Sequence, residues 1–201
     1  MSATDTALVD GLAASSSPIR APADAGVHLV HGLVDVVAIF TPAVQVCVYR
    51  RPLPLRLQAA LAQQVQAGAL VGFRRVVDAG RPLPPLPLPE RAIAAGAAQE
   101  LGFLVDVFGE LLGCPRIGLR LEVLDRAMCP RWHRDHNGIR LLCTWLGPGT
   151  QWLDDTASPV PDPALLPADA PPSGRAAPFD LVLLKGGLWQ GNAGRGAIHR
   201  S

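Results

Sequence analysis

The chain has 201 residues, 49% of them apolar, and a formal net charge of +1. That apolar content is enough for one full core and excludes an intrinsically disordered chain. No stripe of clustered Lys and Arg is present, which argues against nucleic acid as a partner.

Residues 1–25, rich in Ala, Ser, Pro and Asp, read as a flexible tail. They begin acidic and lack the charged leader and apolar core of a secretory signal. The most apolar stretch, residues 33–49, contains Asp35 and Pro42 and is too short to span a membrane. The expected location is therefore the cytoplasm, with no membrane partner. Residues 44–49 carry β-branched side chains in partial alternation and predict one early strand. Over residues 53–65, Leu57, Ala60, Leu61 and Val65 fall on one helical face. Residues 81–89, RPLPPLPLP, cannot be helical and predict an extended connector. A ligand for a proline-recognising domain is the alternative use of that run.

Residues 90–112 give the strongest helical pattern. Leu101, Leu104, Val105, Phe108, Leu111 and Leu112 form one stripe, and Gly113 and Pro115 end it. From residue 117 the period changes. Residues 117–124 alternate as a half-buried strand does, and residues 139–146, 150–153, 180–185 and 196–201 are further strands. Residues 154–177, rich in Pro and Asp, predict a long surface loop. The chain thus divides into the tail, 1–25, and one domain, 26–201. Within the domain, 26–115 is mainly helical support with one early strand, and 116–201 is β-rich.

The chemistry concentrates in the run CPRWHRDH over residues 129–136. His133 and Asp135 are two apart, which on a strand puts both side chains on one face. With a third ligand they make a 2-His-1-carboxylate set that leaves open positions on a divalent metal. His199, 66 residues after His133 and beyond further strands, is the candidate third ligand. His136 should face away, and His28 and His31 precede the β region. The triplet His133–Arg134–Asp135 also occurs in the kinase catalytic loop, but that loop needs Asn where this chain has Arg140, and no glycine-rich nucleotide loop precedes it.

A closed zinc site is the rival reading, with Cys129 joining His133, Asp135 and His199. The four cysteines, Cys47, Cys114, Cys129 and Cys143, contain no CxxC pair, and packed thiols are the alternative for each. Arg140 can bind a carboxylate bidentately. Arg200 should point away from His199 in a structural role, the four tryptophans should line core or pocket, and Asn192 and Arg195 should form a turn beside the site.

The chain resembles an uncharacterised bacterial family, the domain of unknown function numbered eighteen twenty-six. The resemblance rests on residues 46–51, 118–125, 128–135, 140–144, 147–152, 184–186 and 194–201. It is more weakly similar to iron and 2-oxoglutarate oxygenases, on His133, Asp135 and His199 and on Phe179–Asp180 before an apolar run. In those proteins a Gly-Asp turn often stands at that last position. That similarity implies a double-stranded β-helix, Fe(II) on the three residues and 2-oxoglutarate as co-substrate. The oxygenases usually place an Arg or Lys for 2-oxoglutarate a little past the distal His. This chain stops two residues past His199, so Arg140 is the candidate, and the expected barrel lacks its last strand.

The fold expected is therefore α+β: an N-terminal helical support packed on an antiparallel double-stranded β-helix of cupin or jelly-roll type. The function expected is an Fe(II)-dependent, 2-oxoglutarate-dependent oxygenase acting on a small-molecule or protein substrate. The alternatives are a non-catalytic zinc-handling protein that adds Cys129, and an interaction module that uses the proline-rich run.

Overall fold

The computed structural model describes residues 26–156 and 159–201. The expected tail, 1–25, lies outside them. The first sheet orders its strands β1 (Val27–Val30), β2 (Val46–Tyr49), β9 (Leu181–Lys185) and β6 (Ile139–Leu142). β1 and β2 are parallel, joined by a crossover that holds a 3-10 helix, Leu33–Phe40. The other pairings in this sheet are antiparallel. β2 and β9 are central and covered on both faces, which is why their sequences read as nearly continuous apolar runs.

The second sheet orders β5 (His133–Arg134), β10 (Ile198–Arg200), β7 (Gln151–Leu153) and β8 (Gly174–Arg175), all antiparallel. Its Trp152, Ala176 and Ala197 share a core cluster with Val46, Val48, Val182 and Leu184 of the first sheet. Trp152 fits because Gly174, its register partner on the neighbouring strand β8, has no Cβ; one placed there would strike the indole. The opposite face of the first sheet packs Cys47 and Leu183 against Val36 and Ile39 of the 3-10 helix, with Phe108 and Leu111 alongside. Neither sheet closes on itself among the described residues.

A ribbon of β3 (Phe73–Asp78) and β4 (Arg116–Leu121) completes the strands. The first half of the domain therefore holds β1, β2 and β3 where its sequence predicts one strand. The expected helix over 53–65 is α1, Leu55–Gln66. The helix expected over 90–112 is two, α2 (Glu90–Ala94) and α3 (Ala97–Leu112). The break falls at Gly96, whose φ of 104° is open only to a residue without a side chain. Leu101, Leu104 and Val105 of the expected stripe are buried, and α3 ends with Gly113 N–H on Glu110 O and Cys114 N–H on Gly109 O. The proline-rich run has no regular structure, but Leu88 is buried and Leu83 and Leu86 pack against the cluster of Leu57, Leu61 and Trp145. Its leucines thus pack toward the core. No helix among the described residues is long and apolar enough to cross a membrane.

Candidate metal centre

β5 is only two residues long, so His133 lies in the strand and Asp135 lies in the turn just past it, not on a regular strand as its spacing predicts. His133 is the register partner of His199 on β10, and His199 is the partner of Trp152 on β7. Cross-strand partners share a face, so both imidazoles lie on the side of the sheet that Trp152 turns toward the shared core. Arg140 pairs with Leu184 in the first sheet and takes the same inward face as that leucine. Residues from both sheets thus converge at one end of the layered pair.

The imidazole Nδ1 of His133 lies 3.0 Å from Arg131 O, and that of His199 lies 3.1 Å from Ala197 O. Each Nδ1–H donates to a carbonyl, which leaves both Nε2 lone pairs free. Those Nε2 atoms face one carboxylate from two sides. His133 Nε2 is 3.7 Å from Asp135 Oδ1, and His199 Nε2 is 3.7 Å from Asp135 Oδ2. Ligand atoms held about 2.1 Å from one ion stand roughly 3.0–3.4 Å apart, so small side-chain shifts close the set. The three potential ligand atoms all lie within 4.8 Å of one another, a group that can hold a metal ion. Two neutral imidazole nitrogens and one carboxylate suit a divalent first-row transition metal.

His199 is 4% exposed, and burial pushes its imidazole below its ordinary pKa, helped by His133 and Arg140 and opposed by Ala197 O and Asp135. The ring is therefore kept neutral, as a ligand must be. The solvent side of the cluster is formed by His133 and Arg140, whose side chains are 32% and 48% exposed. Arg140 Nη1 sits 3.2 Å from Asp135 Oδ2.

The turn that carries Asp135 is fastened to the loop after β9. Gly187 N–H donates to Asp135 O, Gly186 N–H to Gly138 O, and Leu188 N–H to Asn137 O. Asn137 Nδ2 lies 3.4 Å from Asp135 Oδ2, while Asn137 Oδ1 is buried without a hydrogen-bond partner. Asn137 and Gly186 belong to the site's support and were not singled out by sequence reasoning. The available signal was that Asn137 repeats the two-residue spacing from Asp135.

Cys129 does not join the group. It is exposed, and its backbone carbonyl is tied to Ser201 N–H, so the four-ligand set expected of a closed zinc site does not form. His136 is exposed and lies past the end of β5, outside the group. Arg200 lies 4.2 Å over the Trp132 ring and donates to Gln151 and to the carbonyls of Ala168 and Ala170, a structural role. Asn192 is buried, donating to Gln45 and to Gly186 O, and Arg195 is exposed in the same loop. Trp132, Trp145 and Trp152 are buried, whereas Trp189 stacks on Phe40 near the surface. A cleft beside Arg51, Leu55, Gly96 and Phe103 shares no residue with the cluster.

The architecture and the cluster define a mixed α/β protein with a His/Asp/His group able to hold a metal. The chain belongs to the family described as Protein of unknown function (DUF1826), whose model matches residues 31–201. No curated protein and no solved structure matches it.

Proposed function

We propose that this protein is a non-haem Fe(II) oxygenase that uses 2-oxoglutarate, with His133, Asp135 and His199 as the metal ligands and Arg140 as the co-substrate's cation. The observation that carries the reading is the presentation of two Nε2 atoms to opposite oxygens of one carboxylate, each ring fixed through its Nδ1 by a backbone carbonyl. Three protein ligands on one side leave the remaining positions of an octahedral ion for small ligands, which distinguishes such a site from a four-ligand structural one. His133, Asp135 and His199 would hold the Fe(II), which with 2-oxoglutarate would supply oxidation by dioxygen, one oxygen atom ending in the substrate and the other in succinate with loss of CO2.

The chain's own groups account for binding and orientation. Ala197 O and Arg131 O set both imidazole tautomers. Burial of His199 against Trp152 excludes water from the inner side of the cluster. Arg140 offers a half-exposed guanidinium to a carboxylate at the outer side. Two further features support a double-stranded β-helix relationship: the facing of two four-stranded sheets, and the entry turn to β9. Phe179 in that turn has φ 66°, the conformation a glycine would supply.

The test is anaerobic Fe(II) titration of the protein beside His133→Ala. One Fe(II) per chain, lost in the variant, with a visible charge-transfer band on adding 2-oxoglutarate, supports the oxygenase. Tight zinc binding with no response to 2-oxoglutarate replaces it with a zinc-handling role on the same three residues.

A further inference from the structure

Arg140 is engaged by the residue the metal needs. Asp135 Oδ2 is contacted by Arg140 Nη1 at 3.2 Å and by Asn137 Nδ2 at 3.4 Å, and it is the same oxygen that His199 Nε2 faces. Asp135's side chain is 11% exposed, so its charge is poorly solvated and depends on these partners. Without a metal, Asp135 and Arg140 neutralise one another. A divalent ion on Asp135 changes that balance in two ways. It draws the carboxylate's charge away from the guanidinium, and it raises the local charge by two in a partly buried place. A small oxyanion that touches both the ion and Arg140 restores neutrality.

We infer that Arg140 is a counter-ion displaced by the metal: it holds Asp135 in the metal-free protein and becomes a subsite for a small anionic carboxylate once the metal binds. This rests on the metal reading above. Two consequences separate it from a role in which Arg140 merely positions Asp135. Arg140 competes with the metal for Asp135, so removing it raises metal affinity; a positioning residue would lower it. Metal and anion also bind with positive coupling, and the coupling is reciprocal, the metal tightening the anion by the same factor.

The experiment measures Co2+ affinity of the full chain by calorimetry, alone and with saturating 2-oxoglutarate or inorganic phosphate, for wild type and Arg140→Gln. Arg140 is half-exposed on an edge strand, and far-UV circular dichroism checks that the variant folds. The expected result is that 2-oxoglutarate tightens Co2+ about tenfold or more in wild type. Arg140→Gln should bind Co2+ alone more tightly than wild type and lose the response to 2-oxoglutarate. A response to phosphate equal to that of 2-oxoglutarate overturns the assignment to a carboxylate. If wild type binds Co2+ but Arg140→Gln weakens it, or leaves the 2-oxoglutarate response intact, this inference fails while the metal site stands. If wild type binds no metal, both fail.

Discussion

His133 and His199 face each other across β5 and β10, with ring centroids 4.3 Å apart and planes tilted by 48°. Each imidazole spends its Nδ1 on a backbone carbonyl two residues before it in the chain, His133 on Arg131 O and His199 on Ala197 O. What they share is a carboxylate between their free nitrogens. Asp135 is therefore the group on which metal binding should depend most sharply. Asp135→Asn keeps the shape and removes the charge. Divalent metal affinity should fall by at least about 100-fold, beyond the roughly 10–100-fold that loss of an outer-shell partner costs. Competition with a chelating dye reads this directly, and an unchanged affinity would place the ion elsewhere.

Phe179 is fully buried, stacks on Trp145 at 6.1 Å, and holds φ 66°. Its carbonyl accepts Arg51 Nε–H and its N–H donates to Thr144 O. Phe179→Ala should cost about 3–5 kcal/mol by removing the ring. At an ordinary position glycine would be worse still, by about 0.5–1 kcal/mol. Here the left-handed backbone reverses the order, and Phe179→Gly should be at least as stable as Phe179→Ala in urea unfolding. A glycine variant clearly less stable than the alanine one would show that the turn does not hold this conformation.

The strands legible in the sequence are those whose environment is simple. β9 is buried along its length and β2 nearly so, and an apolar run between turn signals is all that such a strand needs. β3 was illegible because Phe73 and Val77 share the packed face of the ribbon with Arg75, which stays exposed, so its alternation is broken. Gly96 did not announce a helix break, since a glycine within a helical pattern is often tolerated. The parallel pairing of β1 with β2 depends on the crossover and has no local signature. At the site, the spacing of His133 and Asp135 and the distal His199 were readable because ligand chemistry restricts residue type. The support from Asn137 and the loop after β9 was not, because backbone hydrogen bonds leave little mark on sequence.

Arg51 and Glu100 form a pair whose side chains are 11% and 10% exposed, with the guanidinium also over Phe103 and 3.6 Å from Cys143 Sγ. The Glu100 partnership raises the pKa of Arg51 against its burial, and burial pushes the Cys143 thiol up to about 12. Arg51→Met leaves Glu100 without its cation and should cost about 3–5 kcal/mol. The double variant Arg51→Met, Glu100→Met should recover much of that loss. A double-mutant cycle in which the two single losses simply add would mean the pair is not coupled.

Lys185 is 2% exposed, donates to Thr41 O, and is held at a pKa of about 8 by burial and then by Arg195. The unfolded chain binds this proton up to its ordinary value of 10.5, whereas the folded chain binds it only up to about 8. Between those values the unfolded state carries more protons, so stability should rise with pH; below about 8 both states are protonated and the penalty is complete. The difference in unfolding free energy between wild type and Lys185→Met should therefore shift in favour of wild type from pH 8 to pH 10.5. Parallel pH profiles for the two proteins would show that Lys185 is not desolvated in the fold.

Gly186 is where the main sheet touches the metal-bearing turn. A Cβ there would run into the backbone carbonyl and side-chain oxygen of Asn137, and neither can retreat without moving the turn of residues 135–138. The N–H of Gly186 itself bonds Gly138 O, and that of Gly187 bonds Asp135 O, so the same displacement loosens both fastenings. Gly186→Ala should leave the core clusters packed, because they lie elsewhere along β9, yet it should tilt Asp135 away from the two imidazoles. Metal affinity is expected to drop by about 10–100-fold, the scale set by disturbed outer-shell support, with a small change in Tm. The comparison with Gly187→Ala is informative, since a Cβ at that position meets only Arg195 O at 3.4 Å and Asp135 O at 3.8 Å. Equal losses in the two variants would trace the effect to general loop flexibility rather than to the collision with Asn137.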